Sequence, residues 1–249
     1  MANWSDPRIG GSAQPATTVA SAGVAVDAGL RAHMLSVYNY MTSGILLTGI
    51  VALLFAESGA VYSLINMNSG SPSLLGYLVM FAPLGIVLWM SFGINRISTA
   101  TAQIMFWAFA IIMGMSLSTI FLVYTNASIA LTFFATAAAF ASLSLYGYTT
   151  KKDLSGWGTF LIMGVVGLIV ASIVNLFWMN DTFSLAIAAI GVLIFAGLTA
   201  YDTQKIKSMY FAVAGSDFAG KAVIMSALTL YLDFINMFLF LLRFLGSRE

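Results

Sequence analysis

The sequence predicts an all-α membrane protein of seven transmembrane helices. Three observations carry this. Hydrophobic residues make up 60% of the 249-residue chain and charged residues only 8%, against roughly 25% charged in a soluble domain. The mean hydropathy is +0.96. The apolar residues gather into seven segments, each long enough to cross a bilayer core of ~30 Å at ~1.5 Å per helical residue.

Composition excludes several classes of function. The net charge of +1 gives no basic surface for nucleic acid. With no cysteine there is no disulfide, no thiolate metal site and no cysteine nucleophile. With one histidine, His33, there is no multi-histidine metal site. No resident cofactor and no enzymatic activity are expected.

Residues 1–33 are rich in Gly, Ser, Ala and Thr and read as a disordered N-terminal tail. Residues 34–249 form the seven-helix domain. The segments lie near Leu35–Ala56, Leu74–Ile94, Ile104–Tyr124, Ile129–Tyr148, Trp157–Met179, Phe183–Thr203 and Ala222–Leu245. Glu57–Ser73 and Gln204–Lys221 read as the longer connectors.

Charge sorts the connectors. Arg8, Arg31, Arg96, Lys151, Lys152, Lys205, Lys207 and Lys221 fall in the tail or in the second, fourth and sixth connectors. Positive residues stay cytoplasmic, so the N-terminus is expected inside. The C-terminus has two solutions: outside after seven full crossings, or inside if the last segment dips in and returns. Asn39, Asn175 and the Ser116, Ser118, Thr119 group are expected to make interhelical hydrogen bonds.

The segment Ala227–Gly246, ALTLYLDFINMFLFLLRFLG, carries Asp233 near its middle. An aspartate at that depth is unfavourable by at least ~2.5–3.5 kcal/mol and should face protein or water. Helical spacing puts Thr229, Asn236 and Phe240 on its side. A helix that is greasy elsewhere and carries one polar stripe belongs inside a ring of other helices. The partner for Asp233 is Asp202, in GLTAYDTQKIK at the end of the sixth segment. The two match in depth if the sixth helix ends inside the cytoplasmic half of the membrane, or if the next connector folds inward.

Two close carboxylates in low dielectric do not both ionise easily, and such a pair shares a proton. It can also hold a hard cation, since Ca²⁺ prefers carboxylate and carbonyl oxygens. A pH-gated cation path through Asp202 and Asp233, with calcium as transported ion and the two acids as its transient ligands, is one coherent use. The alternative is that each aspartate simply accepts hydrogen bonds from neighbours such as Tyr201, Asn236 or a backbone amide. Arg96 either snorkels to the headgroups or pairs with Asp202. Tyr201 and Asn236 are the remaining supporting residues.

The motifs KKDLSGWGTFL, AYDTQKIK and LYLDFINMFLFLLRFLG resemble the Bax inhibitor-1 (transmembrane BAX inhibitor motif) family, in detail its bacterial branch. The resemblance runs from about Arg31 to Gly246. It implies seven helices with the last one central and surrounded by the other six. It also implies a pH-sensitive calcium leak controlled by aspartates on helices six and seven, which match Asp202 and Asp233. An arginine that follows a Trp-Met pair on the family's second helix can latch onto the sixth-helix aspartate. Here Trp89-Met90 is followed by Ser91, and Arg96 comes five residues later. Either Arg96 reaches back or the latch is missing.

Two other functions compete. One is a non-conducting interaction protein that modulates another membrane protein, such as a membrane protease. The other is an intramembrane aspartyl protease, suggested by Tyr201-Asp202, but Leu230-Tyr231-Leu232-Asp233 lacks the glycines that class uses. The expected location is a bacterial inner membrane, with the bilayer, calcium ions and a membrane protein as partners.

Overall fold

Four of the helices announce their own starts. Ser73, Ser98, Thr125 and Asn180 each accept a hydrogen bond from the backbone N–H three residues on, which satisfies one of the orphan amides at a helix N-terminus. In the computed structural model these begin α2 (Leu74–Gly93), α3 (Thr99–Leu117), α4 (Asn126–Thr149) and α6 (Asp181–Val213). The remaining helices are α1 (Ala16–Glu57), α5 (Ser155–Trp178) and α7 (Ala219–Leu245), and 3-10 turns cover Ala60–Leu64 and Ser118–Leu122. The structure describes residues 16–66, 70–178 and 180–247, with side chains from residue 28 on. Among them all seven α-helices are long and apolar enough to cross a membrane, and there is no strand.

Helix α7 is the most buried of the seven. It packs chiefly against α1, α3, α4 and α6, while α2 leans on α3 and α5 on α6 from outside. The enclosure is thin between α1 and α4. Between α1 and α4 a cavity of about 720 Å³ runs in to Phe234 of α7.

Two boundaries differ from the sequence reading. Residues 1–15 lie outside the described residues, but from Ala16 the stretch expected as tail is helical and continuous with α1. Its last turns are anchored, since Leu30, His33 and Met34 are buried. The second difference is larger. α6 continues past Thr203 to Val213, because Ile206, Met209 and Tyr210 keep an apolar face turned inward among the lysines. The tight turn to α7 comes at Gly215, whose φ of 76° favours glycine.

The C-terminal alternative is resolved. α7 is one unbroken helix of 27 residues, about 40 Å long. At its end Ser247 N–H donates to Ser128 Oγ at 2.9 Å, and Ser247 O accepts from Thr125 N–H at 3.2 Å. The C-terminal end of α7 therefore sits beside the α3–α4 connection, at the end of the bundle opposite the lysine-bearing connectors. Arg243 is housed there by Asn175, which satisfies both neighbours once its amide is turned so that the oxygen accepts from Arg243 Nη2 and the nitrogen donates to Asn180 O, each at 3.2 Å.

Candidate functional site

α6 and α7 form an antiparallel hairpin with a constant register. Phe195 stacks on Phe240 with ring centroids 5.8 Å apart. One heptad on, Asp202 meets Asp233. One heptad further, Ser226 Oγ lies 4.0 Å from Met209 Sδ. Contacts repeating every seven residues are the seam of a left-handed helix pair. The close approach depends on Gly191, where an added Cβ would stand 2.6 Å from the Phe240 ring.

This register brings the aspartates together, and by neither route expected from the sequence. The sixth helix does not end near Asp202, and no connector folds inward. Instead α6 runs on for roughly 16 Å beyond Asp202 before turning, and α7 climbs roughly 21 Å from its start to Asp233. The two acids come level to within about one helical turn.

Both side chains lie inside the bundle, Asp202 at 8% and Asp233 at 4% exposure. Their carboxyl groups are within hydrogen-bonding reach of each other. Carboxylate oxygens only accept, so a bond between the two exists only when one carries a proton. Asp233 Oδ2 has no protein donor among the described residues. No basic group there lies within ion-pair distance of either acid. Lys205, one turn along α6, acts on Asp202 through space.

Around the pair the hydroxyls are committed elsewhere. Thr199 and Thr203 donate to Phe195 O and Thr199 O. Thr203 Oγ1 is also 3.0 Å from Ser144 Oγ, which bonds the Tyr38 hydroxyl. This Tyr38–Ser144–Thr203 chain ties α1, α4 and α6 together beside Asp202. It escapes sequence reading, because three hydroxyls from remote helices share no local pattern. Two residues from Asp233, Tyr231 is fully buried and its hydroxyl is 2.7 Å from Thr48 Oγ1 of α1.

The supporting residues fare differently from expectation. Arg96 is exposed in the α2–α3 turn and makes no ion pair among the described residues. It lies beyond the end of α2 at Gly93, in a turn where its N–H bonds Gly93 O. Tyr201 is turned about 100° from Asp202 along the helix. It packs on α5, where a Cβ at Gly158 would stand 2.5 Å from its hydroxyl. Asn236 donates to Leu232 O of its own helix at 2.8 Å. Among the other polar residues, Ser118 and Thr119 bond carbonyls of their own turns, and Asn39 is exposed. Of that group Asn175 alone bridges two helices.

The two carboxylates offer at most four oxygens, fewer than the six to eight ligands Ca²⁺ takes. Among the described residues no third acid, histidine or cysteine joins them. The arrangement suits a passing cation that keeps part of its water better than a resident one.

A family model described as "Inhibitor of apoptosis-promoting Bax1" matches residues 30–249. The chain is 50% identical to the uncharacterized protein RP147 of Rickettsia prowazekii, covering 93% of this chain and 96% of that one. It is 46% identical to the inner membrane protein YbhL of Escherichia coli K12, over 89% of this chain and 94% of that one. An uncharacterized protein of Caulobacter vibrioides is also 46% identical, over 92% and 93%. A match spanning the whole helical bundle, with relatives this similar along nearly their full length, means that the chain belongs to the Bax inhibitor-1 family.

Proposed function

We propose that this protein is a pH-sensitive calcium leak of a bacterial inner membrane, switched by the Asp202–Asp233 pair. The observation that carries the reading is two acids, from different helices, facing each other inside an apolar bundle, with no basic side chain among the described residues in ion-pair contact with either. While one proton is shared, it bonds α6 to α7 and the seam stays shut. When that proton leaves, two like charges face each other. At ~4 Å and an effective dielectric near 20 they repel by about 4 kcal/mol. The seam then yields or a cation settles between the acids. Ca²⁺ meets both needs, because its charge cancels the repulsion and it prefers carboxylate oxygens. With Arg96 exposed and in no ion pair among the described residues, the proton takes the place of an arginine as the latch. The lysine-bearing end is assigned to the cytoplasm by the charge bias of its connectors, which puts the N-terminus inside.

The test is calcium entry into liposomes holding the purified protein alone. Flux is expected to rise as pH climbs through the range in which the pair gives up its shared proton. Asp202→Asn and Asp233→Asn are each expected to flatten that response, since an amide donates to the remaining carboxylate at every pH. A flux that falls as pH rises overturns the shared-proton latch. No flux at any pH favours the non-conducting interaction protein.

A further inference from the structure

At the basic end, a cavity of about 370 Å³ lies between α6 and the α4–α5 connection. Lys151, Lys152, Lys205 and Lys207 line it, with Asp153 as the one acid. Among the described residues none of the four lysines is in an ion pair. Asp153 is engaged at the start of α5, where its Oδ1 accepts from Ser155 N–H at 2.9 Å.

The structure fixes the Lys207 ammonium and the backbone that carries Lys151 and Lys152. Gln204 uses both ends of its amide on the connection, Nε2 donating to Lys152 O and Oε1 accepting from Leu154 N–H, each at 2.8 Å. This clamp fixes Lys151 and Lys152 opposite α6. Lys207 Nζ donates to Tyr148 O at 2.8 Å and stands 5.0 Å from the Tyr148 ring centroid. Lys205 lies over the Tyr201 ring at 6.0 Å. Four lysines against one acid give the cavity an excess of positive charge that an anion entering it would offset. Tyr201 and Phe211 give the cavity an aromatic wall, which suits a ligand at the boundary of water and lipid.

We propose that this cavity binds a phosphate group, presented either by an anionic phospholipid or by a soluble phosphate. Basic pockets between helices on the cytoplasmic side of a membrane protein are suited to phospholipid headgroups. Because Lys205 also acts on Asp202, an occupied cavity changes the electrostatic surroundings of the acid pair. That consequence rests on the proposed function, whereas the binding does not.

The test is native mass spectrometry of the full chain in neutral detergent, titrated with phosphatidylglycerol, phosphatidylcholine or inorganic phosphate. Phosphatidylglycerol is expected to bind at least tenfold more tightly than phosphatidylcholine. The double variant K152Q/K205Q is expected to lose about thirtyfold of that affinity, on the scale of two lysines at a membrane surface. K221Q, the same kind of charge change at the same end but outside the cavity, is expected to change nothing. Inorganic phosphate binding that the double variant abolishes, without phosphatidylglycerol preference, assigns the site to soluble phosphate. Binding of neither probe, or equal losses in K221Q and K152Q/K205Q, overturns the proposal.

Discussion

The hydrogen bond between Tyr231 and Thr48 has a direction, and the direction makes two conservative substitutions unequal. Thr48 Oγ1 has one proton and donates it to Ala110 O at 2.8 Å. The 2.7 Å contact with Tyr231 must therefore be donated by the tyrosine. Tyr231→Phe removes a donor but leaves Thr48 bonded to Ala110, so only a spare lone pair is orphaned. Its expected cost is about 1 kcal/mol, the net worth of one bond. Thr48→Val keeps the shape but strands the tyrosine hydroxyl in a site where Thr48 is 2% exposed and Tyr231 not at all. An unsatisfied buried group costs ~1–3 kcal/mol, so Thr48→Val is expected to be the worse change. The double variant has no stranded group and is expected to be more stable than the sum of the two, by about 0.6 kcal/mol and at most ~1.7. Equilibrium unfolding in bicelles, followed by steric trapping, measures all three. A Tyr231→Phe loss as large as that of Thr48→Val would refute the assigned direction, and strict additivity would refute the contact.

Three further outcomes follow from the packing. Gly147→Ala drives a Cβ into the backbone of Ala200 on α6, whose Cα would lie 3.0 Å away. It is expected to lose ~1–3 kcal/mol from overpacking, whereas Gly49→Ala, with nothing within 4 Å, is expected to be tolerated; equal losses would contradict the α4–α6 approach. The chain has no cysteine, so K152C and S247C can be labelled singly with a membrane-impermeant maleimide, and each is expected to react from a different side. Labelling of both from one side would contradict a seventh full crossing. Gln204→Leu is expected to release the α4–α5 connection, read as faster hydrogen exchange at the Leu154 amide; unchanged protection there would mean that the clamp does not hold it.

Much of the fold was legible in the chain because lipid leaves few choices. A run such as Ser155–Trp178 with no charge inside it can only be a span, and the ends of α2, α4 and α5 were visible to within a few residues. Asp233 was legible for the same reason: an acid in hydrocarbon needs a partner, and Asp202 was the nearest buried candidate. The end of α6 was hidden because Gln204, Lys205, Lys207 and Ser208 resemble a loop in composition. Only the helical spacing of Asp202, Ile206 and Met209, together with Gly215, marks the continuation. The start of α1 was hidden in a different way, since small residues say little about whether a neighbour will cover them. Arg96, Tyr201 and Asn236 are near the acids in sequence or depth, but the rotation of a helix about its axis decides what each faces. That rotation is fixed by partners far along the chain, such as Gly158 for Tyr201.

The heptad seam of α6 and α7 also constrains how the hairpin can be assembled. Slide one helix past the other by one repeat and Asp202 lands opposite Phe240 or Ser226, while Asp233 lands opposite Met209 or Phe195. In either misalignment at least one acid is pressed against an aromatic ring or a thioether, and neither acid has the other to bond. A single buried polar match is a known way to fix alignment between helices that grease alone would leave free to slip. The acid pair thus marks one register of the hairpin as preferred, because a glide along the axis sets Asp233 against Met209 in one direction and Phe195 in the other.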